Sequence, residues 1–305
     1  MAMTLTATAR MSIKTRGFLF TAVFLASILA NLAFFKQLVE FSIHNEFSSH
    51  IFFIPLLSLA LIFRKRATIF KDVSHSVLLG GTISVIAVAL LISESLVKNG
   101  LDASDALSAR ALTIVILWAG MFLFFYGTES FRKALFSMLF LVLMVPIPRT
   151  LLEVIISALQ RGSADMTALL FKITGTPYYR DGLTFVLPRI SIEIATQCSS
   201  IRSSLALLIS CLLAGHLILK TFWRKSFFAL VAVPMAMIKN AIRIVTLSLL
   251  SIHIDRRFIV SSDLHHEGGI VFFLTTLLLL WPVLWLLRRS ERETGLPKRT
   301  DVKAA

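Results

Sequence analysis

Acidic residues are scarce in this chain. Only 17 Asp and Glu stand against 31 Lys and Arg, and charged residues of both signs make up 16% of its 305 positions. Cysteine is scarcer still, at two residues, Cys198 and Cys211. They lie about 20 Å apart along one predicted helix, too far to bridge, so a disulfide framework is excluded and Cys198 reads as a free thiol. G-x-S-x-G, P-loop and dinucleotide-binding signatures are all missing. HHEGGI, at 265–270, begins like H-E-x-x-H, but Ile270 stands where the second ligand is needed, and the zincin motif fails. His44, His50 and His253 could lie on the same outer face, yet no carboxylate or cysteine spacing around them specifies a site. Neither a metal nor a cofactor is expected. The chain also shows no fixed-period repeat, no low-complexity tract and no cleavable signal-peptide pattern.

What is abundant is apolar: 56% of residues are hydrophobic and the mean hydropathy is +0.82. A soluble domain of this length would not need so much. Apolar runs recur along the whole length, and roughly 20 such residues suffice for each helical crossing. The net charge of +14 therefore reads as membrane topology, since Lys and Arg collect in cytoplasmic loops, and not as nucleic-acid binding. The expected fold is an all-α polytopic membrane protein with about eight transmembrane helices, at 17–35, 47–63, 77–93, 107–126, 134–148, 198–219, 227–250 and 269–287.

Basic clusters divide between alternate connections. One set holds Arg10, Lys14 and Arg16; Arg64, Lys65, Arg66 and Lys71; Arg132 and Lys133; Lys220, Arg224 and Lys225; and the tail from Arg288 to Lys303. That set marks the cytoplasmic side, with both termini on it. The fifth span is short, and parity supports it: residues 133 and 220 share a side only if the chain crosses between 133 and 198. Residues 1–289 then form one transmembrane domain, and 290–305 a polar cytoplasmic tail.

The 149–197 connection is the only outer segment long enough to be more than a loop. LLEVIISALQRGSADMTALLF sets Leu152, Ile155, Ile156 and Leu159 on one helical face, opposite Glu153, Ser157, Gln160 and Arg161. This predicts an interfacial amphipathic helix. YYRDGLTFVLPRISIEIA follows, with an Asp181-Gly182 turn and Ile190, Ile192 and Ile194 in alternation, which predicts a small β-hairpin.

Three unusual features come out on this same outer side. Cys198 and Arg202 open the sixth span, in QCSSIRSS. Lys239, Asn240 and Arg243 lie in the outer half of the seventh, in MIKNAIRIV. His265 and His266 precede the eighth. Ionisable groups in spans are expensive and usually face a bundle interior or an aqueous cavity. Against that, Arg243 could snorkel to headgroups while Asn240 pairs helices, and a lone Cys is more often an inert small hydrophobe. A thiol at a helix N-terminus near arginines, however, has its thiolate favoured by dipole and charge alike.

The order of these motifs resembles the exosortases, relatives of the archaeosortases. Ser49-His50 matches an early S-H-G-like element, and VPIP at 145–148 matches a span ending in P-x-P. GTPYYRDGLTFVLP matches G-[IV]-P…R-x-G…LP, and TQCSSIRS matches E-x-C-S-G-[LI]-R-S. Asn240 to Ile244 match N-A-[LI]-R-[VI], and His265 to Phe273 match H-x-x-x-G-W-[VI]-F-F. Two positions depart from the pattern: Ser200 replaces the glycine of C-S-G, and Ile270 replaces the tryptophan. Gly269 selects His265 over His266 as the family histidine.

The resemblance implies a cysteine peptidase-transpeptidase of a bacterial cytoplasmic membrane. Its partners would be exported proteins with a Pro-Glu-Pro-like C-terminal sorting signal, met at the outer membrane face among membrane lipid. Cys198 would be the nucleophile, and Arg243 and His265 would complete the site. Arg202, Asn240, His266 and His50 would support it or bind substrate. The competing class is a transporter or flippase for a lipid-linked glycan in exopolysaccharide export, with Lys239 and Arg243 on phosphate. The polar residues gather at one face, away from the bilayer midplane where transporter sites form, which argues against it.

Overall fold

The computed structural model describes residues 12–96, 102–188, 190–194, 201–254 and 268–294. It divides into two compact units, Met1–Leu151 and Leu152–Ala305. Among the described residues, six helices are long and apolar enough to cross a membrane, with one shorter apolar helix beside them. These define a multi-pass helical architecture carrying a small sheet.

The first unit runs α1 (Ile13–Ala30), α2 (Leu32–His44), α3 (Phe53–Arg64), α4 (Arg66–Ile69), α5 (Val77–Leu96) and α6 (Ala103–Phe140), followed by a 3-10 turn at Leu141–Met144. The apolar run that predicts a first span at 17–35 is thus divided at Asn31, which ends α1 and starts α2. The Asn31 side chain donates to the Ser27 carbonyl and accepts from Arg110. The expected second span at 47–63 is only partly helical. Glu46–Ser48 form a 3-10 turn whose last carbonyl accepts from the buried Ser42 hydroxyl at 2.8 Å, and α3 that follows has 12 residues. At 1.5 Å per residue it is about 18 Å long, short of a 30 Å hydrocarbon core.

The fourth and fifth expected spans form one hydrogen-bonded stretch broken at Gly127 (φ 80°, ψ 176°). Unbroken, its 38 residues would reach about 57 Å. Instead the chain folds back. Beyond its far end, the Arg149 backbone N–H donates to Asp105 Oδ1 at 2.9 Å, and its guanidinium pairs with Asp102 at 3.3 Å. Phe122 and Phe131, on either side of the break, bring their rings to 6.4 Å. Only glycine suits this reversal: the backbone lies where L-residues are strained, and a Cβ would meet Ser74 Oγ at 2.2 Å and its carbonyl oxygen at 2.8 Å.

Aromatic rings fill the space between α1 and the first arm of α6. Phe20 contacts Phe122, Phe125 and Tyr126, with centroids 5.2–6.1 Å apart. Phe24 lies 4.8 Å from Trp118, whose indole N–H donates to Ser27. One end of the unit gathers Arg16 on Ser74 and His75, Gly127 against Ser74, and Lys133 on Asp72 at 2.9 Å. The opposite end gathers Asn31 with Arg110 and Asp102 with Arg149.

The second unit holds most of α7 (Arg149–Ile173), then β1 (Tyr179–Asp181), β2 (Thr184–Leu187), β3 (Ile190–Glu193), α8 (Ile201–Ile218), α9 (Phe222–His253) and α10 (Gly268–Thr294). The expected interfacial helix is longer than its amphipathic signature. Residues 156, 159, 160, 163, 164, 167 and 171 form its buried stripe. Gln160, which the sequence pattern puts on the polar face, is in that stripe because its amide donates to the Ile194 carbonyl at 2.8 Å. The expected two-stranded hairpin is a three-stranded antiparallel meander, β1-β2-β3. Its added edge pairs Leu187 with Ile190 and Thr184 with Glu193.

Phe171, Phe185, Leu187 and Ile194 close the sheet onto α7 and, through Ile244 and Val245, onto α9. A second cluster joins Leu207 and Cys211 of α8, Phe228 and Ala232 of α9, and Leu280 and Leu284 of α10. The expected polar tail at 290–305 begins inside α10, which stays helical to Thr294. Glu291 holds that end down: its carboxylate accepts from the Lys220 and Thr221 backbone N–H groups at 2.7–3.1 Å and pairs with Arg224 at 3.7 Å. Negative charge here satisfies orphan N–H groups and the dipole at the start of α9.

Candidate functional site

Of the residues singled out by sequence, Arg202, Asn240 and Arg243 fall in the described part of the second unit, and His50 in the first. Cys198, His265 and His266 lie outside the described residues. α8 begins at Ile201, three positions after Cys198. Its first turn is anchored by Ile201, 1% exposed, and carries an exposed Arg202 and a half-buried Ser203.

α9 presents the opposing polar cluster. Lys239 and Asn240 are 4% and 1% exposed, and Arg243 is half-buried. Lys239 and Arg243 are four apart and Asn240 and Arg243 three apart, so they share one side of the helix. The apolar neighbours Ala241, Ile244 and Val245 are buried and hold that side in register. The Lys239 ammonium donates to the Ser203 hydroxyl. This bond joins the first turn of α8 to the segment of α9 that carries Asn240 and Arg243. Ser203 belongs to the hydroxyl cluster of QCSSIRSS, to which the sequence assigns no task, and Lys239 is singled out by the sequence with Asn240 and Arg243 but given a role only in the competing transporter reading. The tertiary pairing is what joins the two.

His50 sits in the turn before α3, half-buried, with its ring hydrogen-bonded to the Leu143 backbone. Leu143 belongs to the 3-10 turn that leads into VPIP, so two elements of the sequence pattern, Ser49-His50 and the P-x-P stretch, are neighbours in the first unit. Cys211 is buried and free within α8, in the apolar cluster with Leu207 and Phe228, and has the setting of a packing residue. Among the described residues, no group of three His, Cys, Asp or Glu side chains converges as a metal site would require.

Spanning-length apolar helices, a small sheet, and a buried lysine and asparagine beside a half-buried arginine on one helix define a multi-pass membrane protein with a polar cluster on one helix. The chain belongs to the transmembrane exosortase family: the family model described as Transmembrane exosortase (Exosortase_EpsH) matches residues 42–282. No curated protein and no solved structure matches it. The matched region takes in every candidate residue named from the sequence, from His50 to His266.

Proposed function

We propose that the protein is a cysteine transpeptidase that cleaves C-terminal sorting signals of exported proteins at the outer face of a bacterial cytoplasmic membrane. The reading treats residues 1–289 as one functional domain crossing about eight times, with both termini cytoplasmic. What carries it is the family match over residues 42–282, a region that includes the Cys198, Arg243 and His265 motifs on which the sequence resemblance rests. The Lys239–Ser203 bond supports it, because it ties the helix that follows Cys198 to the helix bearing Arg243.

In this mechanism the Cys198 thiolate attacks the carbonyl carbon of the scissile peptide. Arg243, charged at any relevant pH, stabilises the oxyanion. Collapse of the intermediate breaks the C–N bond, and the leaving amine takes its proton from the His265 imidazolium. The acyl group remains on sulfur as a thioester. An acceptor with an ionisable O–H or N–H gives its proton back to His265, attacks the thioester and releases the thiolate. Arg202, Asn240, His266 and His50 position substrate or support these groups.

Replacing Cys198 with Ala should leave insertion and thermal stability intact while client proteins accumulate at unprocessed length on a gel. Normal processing by Cys198→Ala would sink the mechanism.

A further inference from the structure

The meander that precedes Cys198 leaves the outer edge of β3 open. The Ile194 N–H donates to the Leu183 carbonyl at 3.0 Å, so in the β2–β3 register Ile190 and Ile192, like Ile194, turn their backbone groups toward β2. Alternation then turns the N–H and C=O of Ser191 and Glu193 the other way, to the outer edge. Both residues are exposed, and among the described residues no backbone hydrogen bond reaches that edge. The same alternation leaves β1, at the opposite edge, only Arg180 facing outward, and the Arg180 side chain is tied to Asp165 of α7 at 2.8 Å.

Two connections join this edge to the reacting groups. Along the chain, Ile194 stands four residues before Cys198, a separation of at most about 14 Å whatever the path. Ile194 is itself fixed: it is 1% exposed, and its carbonyl accepts from Gln160 at 2.8 Å. Across the packing, Ile190 and Ile192 lie against the cluster that contains Ile244 and Val245, the two residues after Arg243. An extended peptide brings a row of backbone donors and acceptors, which a free strand edge satisfies. A helix or a folded surface has already satisfied its own. Ser191 and Glu193 each offer one donor and one acceptor, two residues apart, which is the repeat of a strand. An edge this short, with a charge in it, does not invite indiscriminate pairing.

We propose that the β3 edge docks the client polypeptide as a fourth strand. The extended segment beside the scissile peptide exchanges backbone hydrogen bonds with Ser191 and Glu193, and so runs within reach of Cys198. This docking rests on the transpeptidase reading, and its test reads binding without turnover. The full chain carrying Cys198→Ala and Glu193→Cys is co-expressed with an exported reporter that ends in a Pro-Glu-Pro-like sorting signal. A single cysteine is moved residue by residue along the reporter around that signal. Cys211, the remaining cysteine of the chain, is buried.

Paired strands bring opposite Cα atoms to about 5 Å, within disulfide reach, and turn successive side chains to opposite faces. Oxidative cross-linking should therefore rise and fall along the reporter with a period of two residues. Adding Ser191→Pro removes an outward N–H and leaves the ladder to β2 intact. It should lower the peak yield about tenfold, as expected for one or two lost hydrogen bonds, while Ser191→Ala retains it. The scan itself needs no change at Ser191 and decides the matter if Ser191→Pro does not fold. No cross-link, a uniform yield, a helical spacing of three to four residues, or an undiminished yield in Ser191→Pro would each overturn the docking. Processing of the same reporter by the wild-type chain reads the enzyme separately. Processing without the alternation overturns the docking and spares the transpeptidase; no processing overturns the transpeptidase reading and the docking with it.

Discussion

Two adjacent glycines on α5, Gly80 and Gly81, should respond to alanine with opposite sign. Both occupy a helix, where replacing Gly with Ala gains about 1 kcal/mol from propensity alone. A Cβ on Gly81 would meet only the Phe124 ring, at 3.8 and 3.9 Å, which is ordinary contact. A Cβ on Gly80 would lie 2.3 Å from the Phe124 backbone nitrogen, 2.6 Å from its Cα and 2.9 Å from the Gly120 carbonyl oxygen. Those are backbone atoms of α6, so no side-chain rotation relieves the overlap and the two helices must part.

Gly120 faces the same seam from the other helix, where a Cβ would come within 2.8 Å of Ser84 Oγ and 2.9 Å of Ile83. Small residues on both partners let the backbones touch, the packing mode on which helices in lipid rely. Overpacking of this kind costs about 1–3 kcal/mol. With backbone on both sides the upper end applies, and subtracting the propensity gain leaves Gly80→Ala about 2 kcal/mol less stable than wild type. Gly81→Ala should be about 1 kcal/mol more stable, a gap of about 3 kcal/mol between neighbours. Thermal unfolding of the detergent-solubilised protein by circular dichroism, with an SDS titration as a second axis, reads both variants against wild type. The close-packed seam is refuted if Gly80→Ala matches or exceeds wild type, or if both variants move in the same direction.

Three further outcomes follow from the same geometry. Glu291→Ala should destabilise the second unit by about 2 kcal/mol, through loss of charge-assisted bonds to an exposed helix start. Glu291→Gln should cost less, and equal losses measured by thermal unfolding would show that the cap does not depend on charge. Gly127→Ala should cost at least 2–3 kcal/mol, from the strained backbone and the overlap with Ser74; Ser74→Gly should not rescue it, because the Ser74 carbonyl remains in the way. Lys133 holds the Asp72 carboxyl below its ordinary value by hydrogen bond and charge. The stability this lends is present above the unfolded carboxyl value of about pH 4 and fades as pH falls through the folded one. Asp72→Asn should therefore flatten that acid limb in a pH-stability profile, and molar salt should shrink the difference between variant and wild type.

What was legible in the sequence was what single residues report. Basic residues expected to share a side do share an end within each unit: Arg16 lies by Ser74, which touches Gly127, and Lys133 reaches Asp72, while Lys220 and Arg224 meet Glu291. Charge is costly in hydrocarbon whatever the fold, so its distribution survives without knowledge of the fold. A return between the runs at 107–126 and 134–148 was legible from the parity of the basic clusters, but its place at Gly127 was not. Helix ends were less legible. The run at 47–63 is apolar enough to cross, and its first residues leave the helix because Ser42 binds the Ser48 carbonyl, a contact invisible to hydropathy. Gln160 looked like surface because its acceptor, the Ile194 carbonyl, is 34 residues away. The site repeats that logic. Cys198, Arg243 and His265 are named through a resemblance in motif order, and Lys239 through its place beside Asn240 and Arg243, but the bond from Lys239 to Ser203 is visible only in the packing. A buried ammonium on one helix answering one hydroxyl on another is a property of the packing, and such a pair should be sought wherever a spanning helix carries a cation beside a named motif.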